Sequence, residues 1–179
     1  MLLKTRAPTR SLLPMIYLAA YPTIESAAAQ AALRAADGFL FFGLDGEAMA
    51  EIDRIEVARQ GDSPVLLARV RVLLHMGHWA LAEALSRRGV EAFPTVEEFT
   101  VQRAFALHQM EEAEEAANAI LAAPEWLRRS GILHYNLACY EARLGTPTAA
   151  RRCIDTAIEF NSAMRMNAKV DPDLKSLAN

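Results

Sequence analysis

Gly43, Gly77 and Gly145 fall on a common spacing of 34 residues, and Glu111 occupies the one column of that series where glycine is missing. A fixed period of this length marks a chain built from one supersecondary unit used several times, each copy burying its apolar face against the next. The neighbouring columns follow the same register. Small or compact residues stand at Ala36, Val70, Ala104 and Ala138 before the turn, and at Ala48, Ala82, Ala116 and Ala150 after it. Matched small side chains on both sides of a turn are what two helices need in order to approach closely.

The copy from His134 to Phe160 shows the unit most clearly. Leu137, Ala138 and Leu144 give its first half a helical stripe, Gly145 ends it, and Pro147 opens a second helix with Ala150, Ile154, Ala157 and Ile158 on one face. In the second copy, Val65 to Met76 and Trp79 to Ala92 flank Gly77, with Phe93-Pro94 as the stop. In the first, Ile24 to Phe42 precedes Gly43, and a partner helix is expected from about Gly46 to Ala58. The third departs most. Glu111 sits at the turn and Pro124 falls where a helix interior is due, so the spacing predicts a remade turn and a second helix from near Glu111 to Ala123. Glu125 to Ser130 then form a loop or an early start to the next helix.

This helix-turn-helix unit resembles the tetratricopeptide repeat. The resemblance implies an all-α fold, an α-α superhelix in the form of a right-handed solenoid of about four hairpins with capping helices at both ends. The corresponding divisions are an N-terminal extension at 1–22, hairpins at about 24–60, 63–94, 95–124 and 125–161 within 23–162, and a C-terminal capping helix at 163–179. In that last segment Met164, Met166, Val170, Leu174 and Leu177 are spaced around the breaker Asp171-Pro172 to cover the open end of the final hairpin.

A hydrophobic content of 53% with only 7% aromatic residues suits close helix packing. The net charge of −3 argues against nucleic acid, whose binders present a strongly basic face. Eight glutamates between Glu91 and Glu125 face a single cation there, Arg103, which reads as a solvated surface, as a contact for end-to-end stacking of chains, or as a basic partner's contact. Cys139 and Cys153 lack metal-site spacing and are expected as free thiols of a reducing, cytoplasmic compartment. Residues 1–22 combine Lys4, Arg6 and Arg10 with the run Leu12 to Ala20. That run is too short to span a membrane. Either it is a secretory signal, with residues 1–29 removed and the protein periplasmic, or it is a short helix starting at Ser11 that covers the first repeat.

No phosphate loop, nucleophile elbow or HExxH motif occurs, and the expectation is a non-catalytic chain without cofactor. The alternative is a small metal enzyme drawing on His75 and His108, which fall near the ends of neighbouring first helices.

The face left over by the packing columns carries the function. Stripes with residues four apart run along the first helices: Leu33, Asp37 and Phe41; Leu67, Arg71 and His75; Val101, Phe105 and Gln109; Tyr135, Cys139 and Arg143. The resemblance implies that these positions, with Arg34, Gln102 and Asn136 beside them, line a concave groove for an amphipathic helix or extended peptide. Leu33 and Asp37 replace the lysine and asparagine of the subgroup that clamps chaperone C-termini. Phe105 and Tyr135 are expected on the exposed surface, so their truncation should cost binding and spare stability. The role implied is that of an adaptor or assembly factor with a protein or peptide partner. One alternative is a secretion chaperone similar to the translocator class of type III systems. Another is a scaffold that dimerises through Phe39 to Phe42 and the N-terminal apolar segment.

Overall fold

The computed structural model describes residues 24–177; the extension at 1–22, with its readings as signal, cap or dimer contact, lies outside them. Nine α-helices and no strand occur among the described residues. They form four hairpins: α1 (Ala27–Phe41) with α2 (Asp45–Asp53), α3 (Ser63–His75) with α4 (Trp79–Ala92), α5 (Glu97–Gln109) with α6 (Ala113–Leu121), and α7 (Gly131–Arg143) with α8 (Pro147–Phe160). A short α9 (Met164–Val170) follows.

The first helices end at Phe41, His75, Gln109 and Arg143, all in one register, and so do the starts of the second helices. One turn geometry accounts for this. In each hairpin the residue in the glycine column donates its amide three residues back, Gly43 to Leu40 (3.0 Å), Gly77 to Leu74 (3.1 Å), Glu111 to His108 (3.0 Å) and Gly145 to Ala142 (3.2 Å). The following amide reaches five back, Leu44 to Phe39, His78 to Leu73, Glu112 to Leu107 and Thr146 to Glu141, at 2.8–3.1 Å. These paired bonds satisfy the last helical carbonyls and require a left-handed residue at the turn. Gly43, Gly77 and Gly145 adopt φ of 72°, 74° and 75°, and Glu111 adopts 66°. The third turn is therefore not remade: the glutamate is held in the glycine conformation. A side chain there is strained by about 1–3 kcal/mol, against roughly 0.5–1 kcal/mol of extra unfolded-state entropy for glycine. Glu111→Gly is accordingly expected to raise the stability by about 1 kcal/mol, while Gly77→Val lowers it. Melting curves of the two variants check this, and movement in the same direction contradicts the shared turn.

The packing columns are buried as a set. Ala48, Ala82, Ala116 and Ala150 are 0% exposed, and Ala36, Val70, Ala104 and Ala138 no more than 1%. Among the described residues three apolar clusters run along the chain, the first from Ile24 to Val72, the next joining Val70, Leu74 and Ala82 to Phe105, and the last from Val101 to Leu174. Helices α4 and α5 pack tightly at Gly89, where a Cβ atom would lie 2.2 Å from the Phe99 ring. That ring stacks on Phe93, with centroids 6.0 Å apart.

Second helices alternate in length, nine residues in α2 and α6 and fourteen in α4 and α8. Each short one is followed by a 3-10 turn, Val57–Arg59 or Leu127–Arg129. The expected extension of α2 to Ala58 is thus corrected. Gln60 ends it, its side-chain amide donating to the carbonyls of Ile52 (3.0 Å) and Ile55 (2.7 Å). Helix α6 stops at Leu121 because Pro124 disfavours helical backbone in the residue before it, and the Pro124 carbonyl then accepts from Leu127 and Arg128 to open the 3-10 turn. The segment expected as one capping helix is also divided. Asp171-Pro172 separates α9 from a 3-10 turn at Lys175–Leu177.

Candidate interaction face

Helix α1 packs on α3, α3 on α5, and α5 on α7, so the same column of successive first helices is brought side by side. This contact decides the fate of the predicted stripes. Arg71 is 3% exposed, and its Nη1 lies 3.3 Å from Asp37 Oδ1, the same column one repeat earlier. His75 Nδ1 meets Asp45 Oδ1 at 2.5 Å. Phe105 is 5% exposed and edge-on to Trp79, with centroids 6.2 Å apart. The expectation that Arg71, Gln102, Phe105, Tyr135 and Cys139 line an open surface is corrected: all five are buried, as are Leu33, Leu67 and Val101. Side chains of this size bridge the gap between adjacent first helices instead of standing free above it. Arg34, Phe41 and Arg143 are exposed, while Asp37, His75, Gln109 and Asn136 are half-buried. Asn136 turns back on its own helix, donating to the Ile132 carbonyl at 3.0 Å.

At the α5–α7 end the face is covered by the chain's own C-terminal segment. The Tyr135 hydroxyl donates to Asp171 Oδ2 at 2.9 Å, and the Cys139 thiol points to the same oxygen at 3.8 Å. The Asp173 amide closes on Asp171 Oδ1 at 3.0 Å, which folds the segment into a tight turn. On the preceding first helix, α5, His108 Nε2 meets Asp173 Oδ2 at 2.9 Å, and the His108 ring lies 4.9 Å from that of Tyr140. Leu174 is buried beside this network, and Leu177 packs against the same apolar cluster. Sequence reasoning missed His108, Asp171 and Asp173 as members of one group. Their only signal is two carboxylates flanking a proline between aliphatic residues, which reads first as a helix terminator.

Burial governs the acidities here. It pushes the Asp171 carboxyl above its ordinary value of 3.8, only partly offset by the Asp173 amide and the Tyr135 hydroxyl. Burial, and next the Asp171 charge, raise the Tyr135 phenol and the Cys139 thiol as well. Both groups stay protonated at neutral pH and act as hydrogen-bond donors. A carboxyl whose folded pKa is raised stabilises the fold in acid, and that contribution is lost as pH rises from 3.8 through the raised value. Asp171→Asn removes this dependence. The melting temperature of the native chain minus that of the variant is therefore expected to fall as pH is raised from about 4 to neutrality; a flat difference contradicts a buried, ionising Asp171.

The two cysteines are free, Cys139 buried and Cys153 half-buried. Among the described residues no group of three His, Cys, Asp or Glu side chains is placed to hold a metal ion, and no helix is long and apolar enough to cross a membrane. No protein-family model matches the chain, and a search of the curated proteins gives no match either.

Proposed function

We propose that this chain is a non-catalytic protein-interaction module of the tetratricopeptide type, its four hairpins stacked as a right-handed solenoid, acting as an adaptor or assembly factor in the cytoplasm. One observation carries the reading: the first-helix face of α5 and α7 engages the start of a short tail segment, Asp171 and Asp173, through side-chain donors, with Leu174 buried beside them. A surface that holds one peptide in this way is suited to hold another. Arg34 and Arg143, exposed at opposite ends of the face, supply cationic contacts at its margins. The test is affinity capture from a native lysate, followed by binding of the purified partner to the intact chain and to Arg34→Glu and Arg143→Glu variants. Weakened binding in either variant supports the reading; equal binding to all three moves the interface off this face.

A self-associating scaffold is a second reading, favoured by Phe41 and Phe42, which are 85% and 76% exposed and packed edge-on against each other at the first turn. Sedimentation over a concentration series decides it, since a monomer throughout removes it.

A further inference from the structure

The C-terminal segment is an unusual cover for a helical end. Apolar residues alone would serve to bury one, yet this segment places Asp171, 2% exposed, directly over Tyr135 and Cys139, and sets Asp173 against a histidine that is itself almost fully buried. Burying a carboxylate is costly unless its oxygens are met by donors. Here the donors are waiting on two different first helices: the Tyr135 hydroxyl and Cys139 thiol on α7, and the His108 ring on α5. Beyond the two carboxylates, Leu174 is buried in the apolar cluster of the last two hairpins and Leu177 packs, half-buried, against it. The segment is thus read by its side chains, two acids and two leucines in a fixed order. Among the described residues its backbone bonds are local, Leu174 to Asp171 and Leu177 to Leu174.

We infer that the α5–α7 face is a binding site for an acidic, leucine-bearing peptide of the form Asp-x-Asp-Leu-x-x-Leu on another protein, and that residues 171–177 occupy it as an intramolecular competitor. This rests on the proposed interaction function and names the partner's chemistry and its regulation. The charge pattern fits one occupant. The site offers donors to carboxylates and apolar room to leucines, whereas a basic peptide would meet Asp171 and Asp173 only while the tail remains in place. Because α9 tethers the tail, its effective concentration is of millimolar order, and a partner must outcompete it or bind when it is loosened.

The probe is a fluorescent synthetic peptide with the sequence of residues 168–177, Ala-Lys-Val-Asp-Pro-Asp-Leu-Lys-Ser-Leu, titrated by anisotropy. The intact chain is compared with a tail-loosened chain carrying Asp171→Ala and Leu174→Ala. The loosened chain is expected to bind the probe about tenfold tighter or more, and a probe with both aspartates replaced by alanine is expected to lose that gain. Equal affinity of the folded loosened chain and the intact chain overturns the proposal. So does dimerisation of the loosened chain, which would assign the site to a second copy's tail. Amide exchange of the unaltered chain keeps the test open if the variant fails to fold: excess probe should accelerate exchange at Asp173, Leu174 and Leu177, and unchanged rates overturn the idea. The two readings fail separately. A purified partner whose binding weakens in the Arg34 or Arg143 variants while those amides stay protected sinks the competitor alone; a partner indifferent to the face sinks the interaction function.

Discussion

Phe105→Ala is expected to destabilise the fold by about 3–5 kcal/mol, the range for deleting a buried phenylalanine. For a chain of this length that is a drop in melting temperature of roughly 6–20 °C. The reason lies in what surrounds the ring: Val70 and Leu74 from α3, Ala82 and the Trp79 edge from α4, and Ala106 from its own helix. Phe105 thus ties the second hairpin to the third, and its removal leaves a cavity at that joint which rigid helices collapse around poorly. Thermal unfolding followed by circular dichroism checks it. A loss below about 1 kcal/mol would put the ring at the surface, as the four-residue stripe alone suggested.

Tyr135→Ala should cost as much, about 3–5 kcal/mol, and Tyr135→Phe less, about 1–3 kcal/mol. The alanine variant removes a ring that is 1% exposed in the largest apolar cluster. The phenylalanine variant keeps the packing but takes one donor away from the buried Asp171 carboxylate. Urea titration of the three proteins gives the order. A phenylalanine variant as stable as the native chain would show that Cys139 and the Asp173 amide suffice for that carboxylate.

The period of 34 residues carried most of the fold, because the turn it marks is a local structure with strict conformational needs: one left-handed residue and two backbone bonds. It carried the glycine turns of the first, second and fourth hairpins; for the third it predicts a remade turn, whereas Glu111 keeps the glycine conformation. It carried the small-residue columns, since close approach of helices within a hairpin is set by residues in one short stretch. The interaction face was legible only as a list of positions. Whether Arg71 or Tyr135 is open depends on a neighbouring first helix in the case of Arg71 and Asp37, and on a segment 36 residues further along the chain in the case of Tyr135 and Asp171. Such contacts leave no periodic trace. The same holds for the end of α2, which is fixed by the Gln60 side chain reaching back across a loop.

The alternation of short and long second helices makes the pair of hairpins, not the single hairpin, the interchangeable part of this chain. A joint after a nine-residue helix includes a 3-10 turn and arrives at the next first helix by a longer path than a joint after a fourteen-residue one. Excising or duplicating residues 63–130 joins like to like, because Asp62 and Ser130 both stand at the close of the longer path. Cutting out a single hairpin would splice one kind of joint onto a helix placed for the other. Growth or shortening of such an array by recombination, or by design, is therefore smoothest in steps of two.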